Sequence, residues 1–425
     1  MTWKTLRRWL RAPRLIIAEL GLVSLAAALM AAIPQAPDPA DRRAEPSALG
    51  AAASALGLDH VLGSWWFLAL LALSAASLWI VTWDQWKSAR SVWREKPTPD
   101  SFREAPFRRQ WTRPPTEPSA GARSTIETTG RLSLLGSPLF HAGLLMIIAA
   151  GVVRMLFGAE AVVDLYEDEV LPPLPAAFGA QWPGRLAQPF ALDRPLRLER
   201  LSAETYPSGG LKLLSAEMRF EGEPRAQRVA VNAPLRQGLT AFYLSQSLGP
   251  AALVRVDGPS GHEPVAVLLQ PEAASGSFSA TTTVGDLEVR LRGEWRPGTP
   301  VPERLQCRVL RDRSLVFAGL IGSGMPVKVP GGGDTLTLVG ARQWARFTAQ
   351  RDPSTPLIYL GFVVCLMGTA LMFGLVKVDT AVLVQPGPEG ETVVVALRAR
   401  RFSALFEERF EHLVRKMGGP EKPPP

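Results

Sequence analysis

The chain has 425 residues, of which 47% are hydrophobic, with 38 Pro, 37 Gly and a formal net charge of +8. Its apolar residues gather into a few long runs instead of recurring at periods of 2 or 3.6, which excludes a wholly soluble globular protein and points to membrane spans. The basic excess flanks those runs, with no basic face interleaved with aromatics and no finger or helix-turn-helix spacing, so it is assigned to membrane orientation and anionic lipid, not to nucleic acid.

Residues 1–14 form a basic N-terminus carrying Lys4, Arg7, Arg8, Arg11 and Arg14. Residues 15–33 are the first span. The run is long enough to cross and reads as a retained anchor, although a cleaved signal peptide with small residues at Ala31 and Ala32 has the same outline. The loop 34–63 offers only Arg42 and Arg43 against Asp38, Asp41, Glu45 and Asp59. The second span, 64–83, starts at Trp65-Trp66 and is left through Trp83 and Trp86, as suits the two headgroup belts. A basic loop, 84–133, follows, with Arg90, Arg94, Arg103, Arg108, Arg109, Arg113 and Arg123. The third span is 134–157 and the fourth 356–376. By the positive-inside rule the N-terminus, the second loop and the C-terminus are cytoplasmic, and residues 158–355 face outward on the periplasmic side of the inner membrane.

That outer segment alternates over short runs at 196–201, 211–220, 229–231, 242–246, 253–256, 287–291 and 336–339, punctuated by Gly, Pro, Asn and Asp. The pattern predicts an all-β, sandwich-like or open-barrel domain. Its leading part, 164–194, is Pro-rich and acidic and is expected to be irregular. Asn232 and Pro234 are expected at a turn or strand edge. In 377–425, runs at 381–385 and 392–396 predict a hairpin. Phe402, Leu405, Phe406, Phe410, Leu413, Val414 and Met417 then share one helical face, which packs on the hairpin or lies at the membrane surface.

The fold class is therefore an integral membrane protein with four transmembrane helices and a large extracytoplasmic all-β domain. Few residues can carry chemistry. The two cysteines, Cys307 and Cys365, fall in different compartments and form no CxxC, so neither a thiol-redox motif nor a cysteine zinc site is available. The outer domain has no nucleophile elbow, HExxH, paired metal-ligand spacing or phosphate loop, which argues against an enzyme centred there.

Of the four histidines, His141 lies inside the third span. An ionisable residue at that depth is expensive. It is either an axial ligand for haem iron or an interhelical hydrogen-bonding residue. Glu19 and Arg154 are the other membrane-depth charges, with Arg14 a partner for the first and outward snorkelling open to the second. His60 precedes the second span and could meet an exported cofactor or be a solvated loop residue. His262 reads as an exposed turn residue and His412 as structural.

These residues stand within a series of motifs. Ile33-Pro34-Gln35 closes the first span, and Gly57-Leu58-Asp59-His60-Val61-Leu62-Gly63-Ser64-Trp65-Trp66-Phe67 leads into the second. Leu139-Phe140-His141 sits in the third. Val231-Asn232-Ala233-Pro234-Leu235, Gly238 and Phe242-Tyr243-Leu244-Ser245-Gln246 follow in the outer domain, then Arg351-Asp352-Pro353 and Tyr359-Leu360-Gly361-Phe362 at the last span. In this order, along nearly the whole chain, they resemble the ResB (CcsB) family of system II cytochrome c maturation. The resemblance implies a subunit, not itself an enzyme, that helps move haem outward and present it for covalent attachment to apocytochrome c. It implies a ResC (CcsA) membrane partner holding most catalytic groups, and a thioredoxin-like thiol reductant. It also implies haem in transit as the only cofactor, with His141 its intramembrane axial ligand. Arg154, Glu19 and His60 are secondary candidates for the haem path. The basic loop is shorter than is usual in that family, and no cysteine lies near the second span. Two other functions compete: a non-haem scaffold whose β-domain docks a partner, and a transporter or signalling component using Glu19 and Arg154 as a polar pathway.

Overall fold

Among the described residues of the computed structural model, four helices are long and apolar enough to cross a membrane. The structure describes residues 2–33, 55–58, 61, 64–114, 122–208, 210–258, 264–272, 276–388 and 390–420. His60, His262 and nearly all of the loop 34–63 lie outside the described residues. The chain divides into two units, Met1–Val152 with Ser354–Pro425, and Val153–Pro353.

In the first unit a short basic helix, α1 (Trp3–Leu10), precedes the first span, α2 (Pro13–Ala32), which starts on a proline whose fixed φ and missing N–H suit a helix's first turn. The second span is α3 (Trp65–Arg94), capped by Ser64, whose hydroxyl accepts from the Phe67 N–H at 3.4 Å. At 1.5 Å per residue its 30 residues extend about 45 Å, beyond a hydrocarbon core of about 30 Å, so its last turns project past the apolar layer. Arg7 pairs with Asp84, and Arg11 Nε lies 3.1 Å from the same carboxylate, which ties α1 to this end of α3.

The third span, α4 (Gly136–Phe157), and the fourth, α5 (Thr355–Gly374), run antiparallel in direct backbone contact. A Cβ at Gly143 would lie 2.6 Å from Cys365 Sγ and 2.7 Å from the Gly361 carbonyl oxygen. Gly136 meets the Met372 backbone, and Gly368 meets Phe140. Small residues one or two turns apart let helix backbones approach where no hydrophobic effect drives association.

The basic loop and the C-terminal hairpin, separate in the sequence reading, form one antiparallel sheet. Its strand order is Phe107–Arg113, Gly390–Ala399, Val378–Gly387, Arg123–Thr129. Helix α6 (Glu407–Lys416) covers one face, burying Phe410 and Val414 against Val393, Val395 and Leu397. The Phe410 ring lies 5.6 Å from Phe107, and Arg109 bonds Glu411 at 2.7 Å. Of the expected apolar face, Phe402 and Leu405 are exposed: Phe402 adopts a left-handed φ of 52° and Ser403–Phe406 is a 3₁₀ turn, so the helical spacing begins only at Glu407.

Within the sheet Asp379 is buried and accepts from Lys377 (2.7 Å), Thr128 (2.8 Å) and Arg398 (3.2 Å). Burial pushes its carboxyl up, but those bonds and the Lys377 charge more than offset this and hold it below the ordinary range. Its contribution is therefore complete above about pH 4, the unfolded range, and is lost as pH falls through the lower folded value. Asp379→Asn is expected to weaken the sheet by about 2 kcal/mol at neutral pH, because Lys377 loses its buried counterion. Hydrogen exchange over 378–387 should quicken in the variant at pH 7 and in the parent chain only in acid. Equal protection at pH 7 would contradict this role.

The second unit is all-β, with three antiparallel sheets around one core among the described residues. The largest runs Val265–Leu268, Thr240–Asp257, Thr335–Arg351, Ala159–Tyr166, Ala180–Pro183. A second runs from Gln270–Pro271 through Ser277–Val284, Leu287–Glu294 and Arg304–Arg311 to Ser314–Gly322. The third contains Val170–Leu171, Leu196–Thr205, Leu211–Phe220 and Gln227–Ala230.

The runs expected at 242–246 and 253–256 are one continuous strand. It passes Gly249-Pro250 with a register shift between Leu244 and Leu248. A side chain at Gly249 would meet the Leu269 carbonyl at 2.6 Å and Trp344 Nε1 at 2.8 Å, so this glycine serves close packing, not a turn. The leading part is also more ordered than expected, since Asp164 lies in Ala159–Tyr166 and takes a two-pronged bond from Arg346 at 2.7 and 2.9 Å. Asn232 lies in a turn closed by reciprocal bonds between Ala230 and Ala233, at 3.0 and 2.9 Å.

Candidate functional site

Helix α4 opens with Gly136-Ser137-Pro138, where a proline costs no hydrogen bond because first-turn N–H groups have no intrahelical acceptor. One turn further, His141 is partly buried and its Nδ1 lies 2.8 Å from the Ser137 carbonyl oxygen. A carbonyl only accepts, so Nδ1 carries a proton, and in the neutral imidazole that assigns the lone pair to Nε2. Nε2 makes no hydrogen bond among the described residues. The imidazole stands edge-on to Phe140 with centroids 5.5 Å apart. The Ser137 hydroxyl donates to Gln85 Oε1 on α3 at 3.0 Å, which links the turn holding His141 to a second helix.

This is how a metal-binding histidine is usually prepared: one ring nitrogen donates to a fixed carbonyl, which sets the tautomer and raises the basicity of the other. Among the described residues no three His, Cys, Asp or Glu side chains converge as a metal chelate. A bare zinc or iron ion, which needs several protein ligands, does not fit. An iron porphyrin brings four nitrogens of its own and asks only an axial donor of the chain.

Of the secondary candidates, His60 lies outside the described residues, and Glu19 and Arg154 bond to groups other than His141. Glu19 is buried between spans and accepts from Ser77 Oγ at 2.9 Å, so its partner is a hydroxyl on α3 and not Arg14. Ser74 Oγ on the same helix is buried without a partner among the described residues. Arg154, thirteen residues after His141 on α4, pairs with Asp352 Oδ2 at 2.5 Å. Glu19 and Arg154 thus each have a local partner among the described residues. Outside the spans, burial in the strand Arg304–Arg311 pushes the Cys307 thiol up to about 12, leaving it inert as a nucleophile. His412 is exposed on α6.

Sequence reasoning named the histidine but missed its partners. The bond to the residue four positions earlier is a choice of side-chain rotamer, and the Ser137–Gln85 contact depends on how α3 and α4 meet. The glycine seam did leave a signal, since Gly136 and Gly143 are spaced by seven, and Gly361, Cys365 and Gly368 by four and three.

A family model described as the ResB-like family matches residues 14–411. The chain is similar to the cytochrome c biogenesis protein CcsB of Synechococcus sp. (strain CC9605), at 26% identity over 456 residues that cover 95% of each chain. It is also similar to the CcsB protein of Prochlorococcus marinus (strain MIT 9313), at 24% identity over 432 residues, 87% of this chain and 89% of the relative. A CcsB protein of Synechococcus elongatus is 26% identical over 346 residues, 75% of this chain and 71% of the relative.

Proposed function

The chain belongs to the ResB-like family, and from that premise we propose that it is a subunit of the system II cytochrome c synthase that carries haem outward through the membrane. Haem is cargo here, and His141 is its axial ligand in transit. The observation that carries the reading is the bond from His141 Nδ1 to the Ser137 carbonyl, because it leaves Nε2 basic and free for iron inside a span. Hydrocarbon offers no proton donor to that nitrogen, so iron is the partner from which it gains most. Covalent attachment needs groups absent from this site and falls to a ResC-type membrane partner, with apocytochrome c as acceptor and a thioredoxin-like reductant keeping its thiols free.

The test is the absorption spectrum of the chain purified with that partner subunit. A Soret band is expected in the parent complex, displaced or lost in His141→Ala and recovered with added imidazole, which can occupy the vacated iron position. A complex that purifies without haem, or a spectrum indifferent to His141, would favour the non-haem scaffold, in which the β-domain docks a partner and the spans only anchor it.

The same reading places the Val153–Pro353 unit on the periplasmic side of the inner membrane, with the four-stranded sheet and α6 in the cytoplasm, as the basic residues of the 84–133 loop favour. A reporter active only outside the cytoplasm should work when fused after residue 260 and stay silent after residue 116. The opposite pattern would reverse the direction of haem movement.

A further inference from the structure

Within the first unit a cleft of about 240 Å³ opens between α3, the start of α4 and the segment following α5. Ser88, Ser133, Ser137, Lys377, Arg400 and Arg401 make its polar wall, over an apolar floor that includes Leu134 and Met372. Its depth follows from the helix ends that meet there. Helix α4 begins at Gly136 and α5 ends at Gly374. On α3 the neighbouring Trp83 and Trp86 are 50% and 43% exposed, and tryptophans at a span's end mark the headgroup layer.

The cleft carries more positive charge than the carboxylates near it offset. Lys377 and Arg398 share a single carboxylate, Asp379. Neither Arg400 nor Arg401 forms an ion pair among the described residues. Asp84, one residue from the cleft's Gln85, is already held by Arg7 and Arg11. Directly after the two arginines the chain turns apolar side chains outward, Phe402 at 49% and Leu405 at 78% exposure. Arginines and exposed apolar groups side by side at this depth suit an interface that contacts both headgroup and acyl chain.

We propose that this cleft binds the phosphate of an anionic phospholipid. The guanidinium forks of Arg400 and Arg401 match phosphate oxygens and Lys377 adds a point charge, while the serine hydroxyls face the glycerol. The apolar floor and the exposed Phe402 and Leu405 offer nothing to a free phosphate ion but suit a lipid, which is why the lipid is preferred as the source of the oxyanion. The inference does not depend on the haem reading of His141.

The experiment is native mass spectrometry of the full chain released from nanodiscs containing equal phosphatidylglycerol and phosphatidylcholine. The parent chain should retain phosphatidylglycerol about tenfold over phosphatidylcholine. The pair Arg400→Gln and Arg401→Gln should bring the two lipids to parity, and Arg296→Gln, an exposed arginine of the other unit, should change nothing. Arg400→Lys with Arg401→Lys keeps the charge and should retain part of the preference, separating loss of the site from loss of the fold. No preference in the parent chain, or an unchanged preference in the double glutamine variant, overturns the proposal. Displacement of the lipid by millimolar inorganic phosphate also overturns it, by assigning the cleft to the free ion.

Discussion

His141→Ala is expected to cut holocytochrome c yield by about a hundredfold while the variant protein accumulates normally. Loss of an outer partner of a metal ligand already costs about 10–100-fold, and on the proposed reading this substitution removes the ligand itself. The fold should survive, because the ring's hydrogen bond runs to its own helix at Ser137 and its contact with Phe140 is local, so no span loses its docking partner. External imidazole should restore part of the yield. Yield is read from haem-stained cytochrome, and protein level by immunoblot of the same membranes. Normal yield, or a fall matched by loss of the protein, would make His141 a structural residue and leave haem handling to the partner subunit. His141→Gln sharpens the comparison: an amide keeps a polar group at the site yet is a poor iron ligand, so a hydrogen-bonding role predicts rescue and an axial-ligand role predicts none.

Gly143→Leu is expected to prevent stable assembly of α4 with α5. A leucine there begins with a Cβ 2.6 Å from Cys365 Sγ and 2.7 Å from the Cys365 N and the Gly361 carbonyl, and backbone cannot rotate away as a flexible side chain can. The helices must part, which also breaks the Cys365 thiol's contact with the Phe140 carbonyl at 3.4 Å. Overpacking of this kind costs about 3 kcal/mol, a large share of the stability of a helix pair held by van der Waals contact. Gly151 on the same helix has nothing within 4 Å of an added Cβ, so Gly151→Leu is the matched control and should be tolerated. Thermal melting in detergent and steady-state level in the membrane should separate the two. Equal behaviour would mean that the close approach at Gly143 is not needed.

The two substitutions probe features of different visibility in the sequence. The four spans were legible because crossing a hydrocarbon layer needs a continuous apolar run, and a run is a local property. The β character of the large domain was legible for a similar reason, since alternation at period 2 survives whatever the strand pairs with. His141 stood out by itself, because an ionisable group at that depth demands an explanation before any neighbour is known.

What only the tertiary structure decided were choices between partners distant in the chain. Phe107–Arg113 and Arg123–Thr129 pair with strands more than 240 residues later, as in Trp111↔Val393 and Thr129↔Val378, so a basic loop and a terminal hairpin become one sheet. Glu19 took Ser77 in place of Arg14 because α2 and α3 bring that hydroxyl to it inside the bundle. Gly249-Pro250, a turn by local grammar, stays within an eighteen-residue strand because Trp344 and Leu269 crowd the position, and packing against two other segments outweighs a dipeptide's preference for turns. Periodicity and hydropathy are summed along the chain. Hydrogen bonds and close packing are settled between segments, by geometry that no window of neighbouring residues contains.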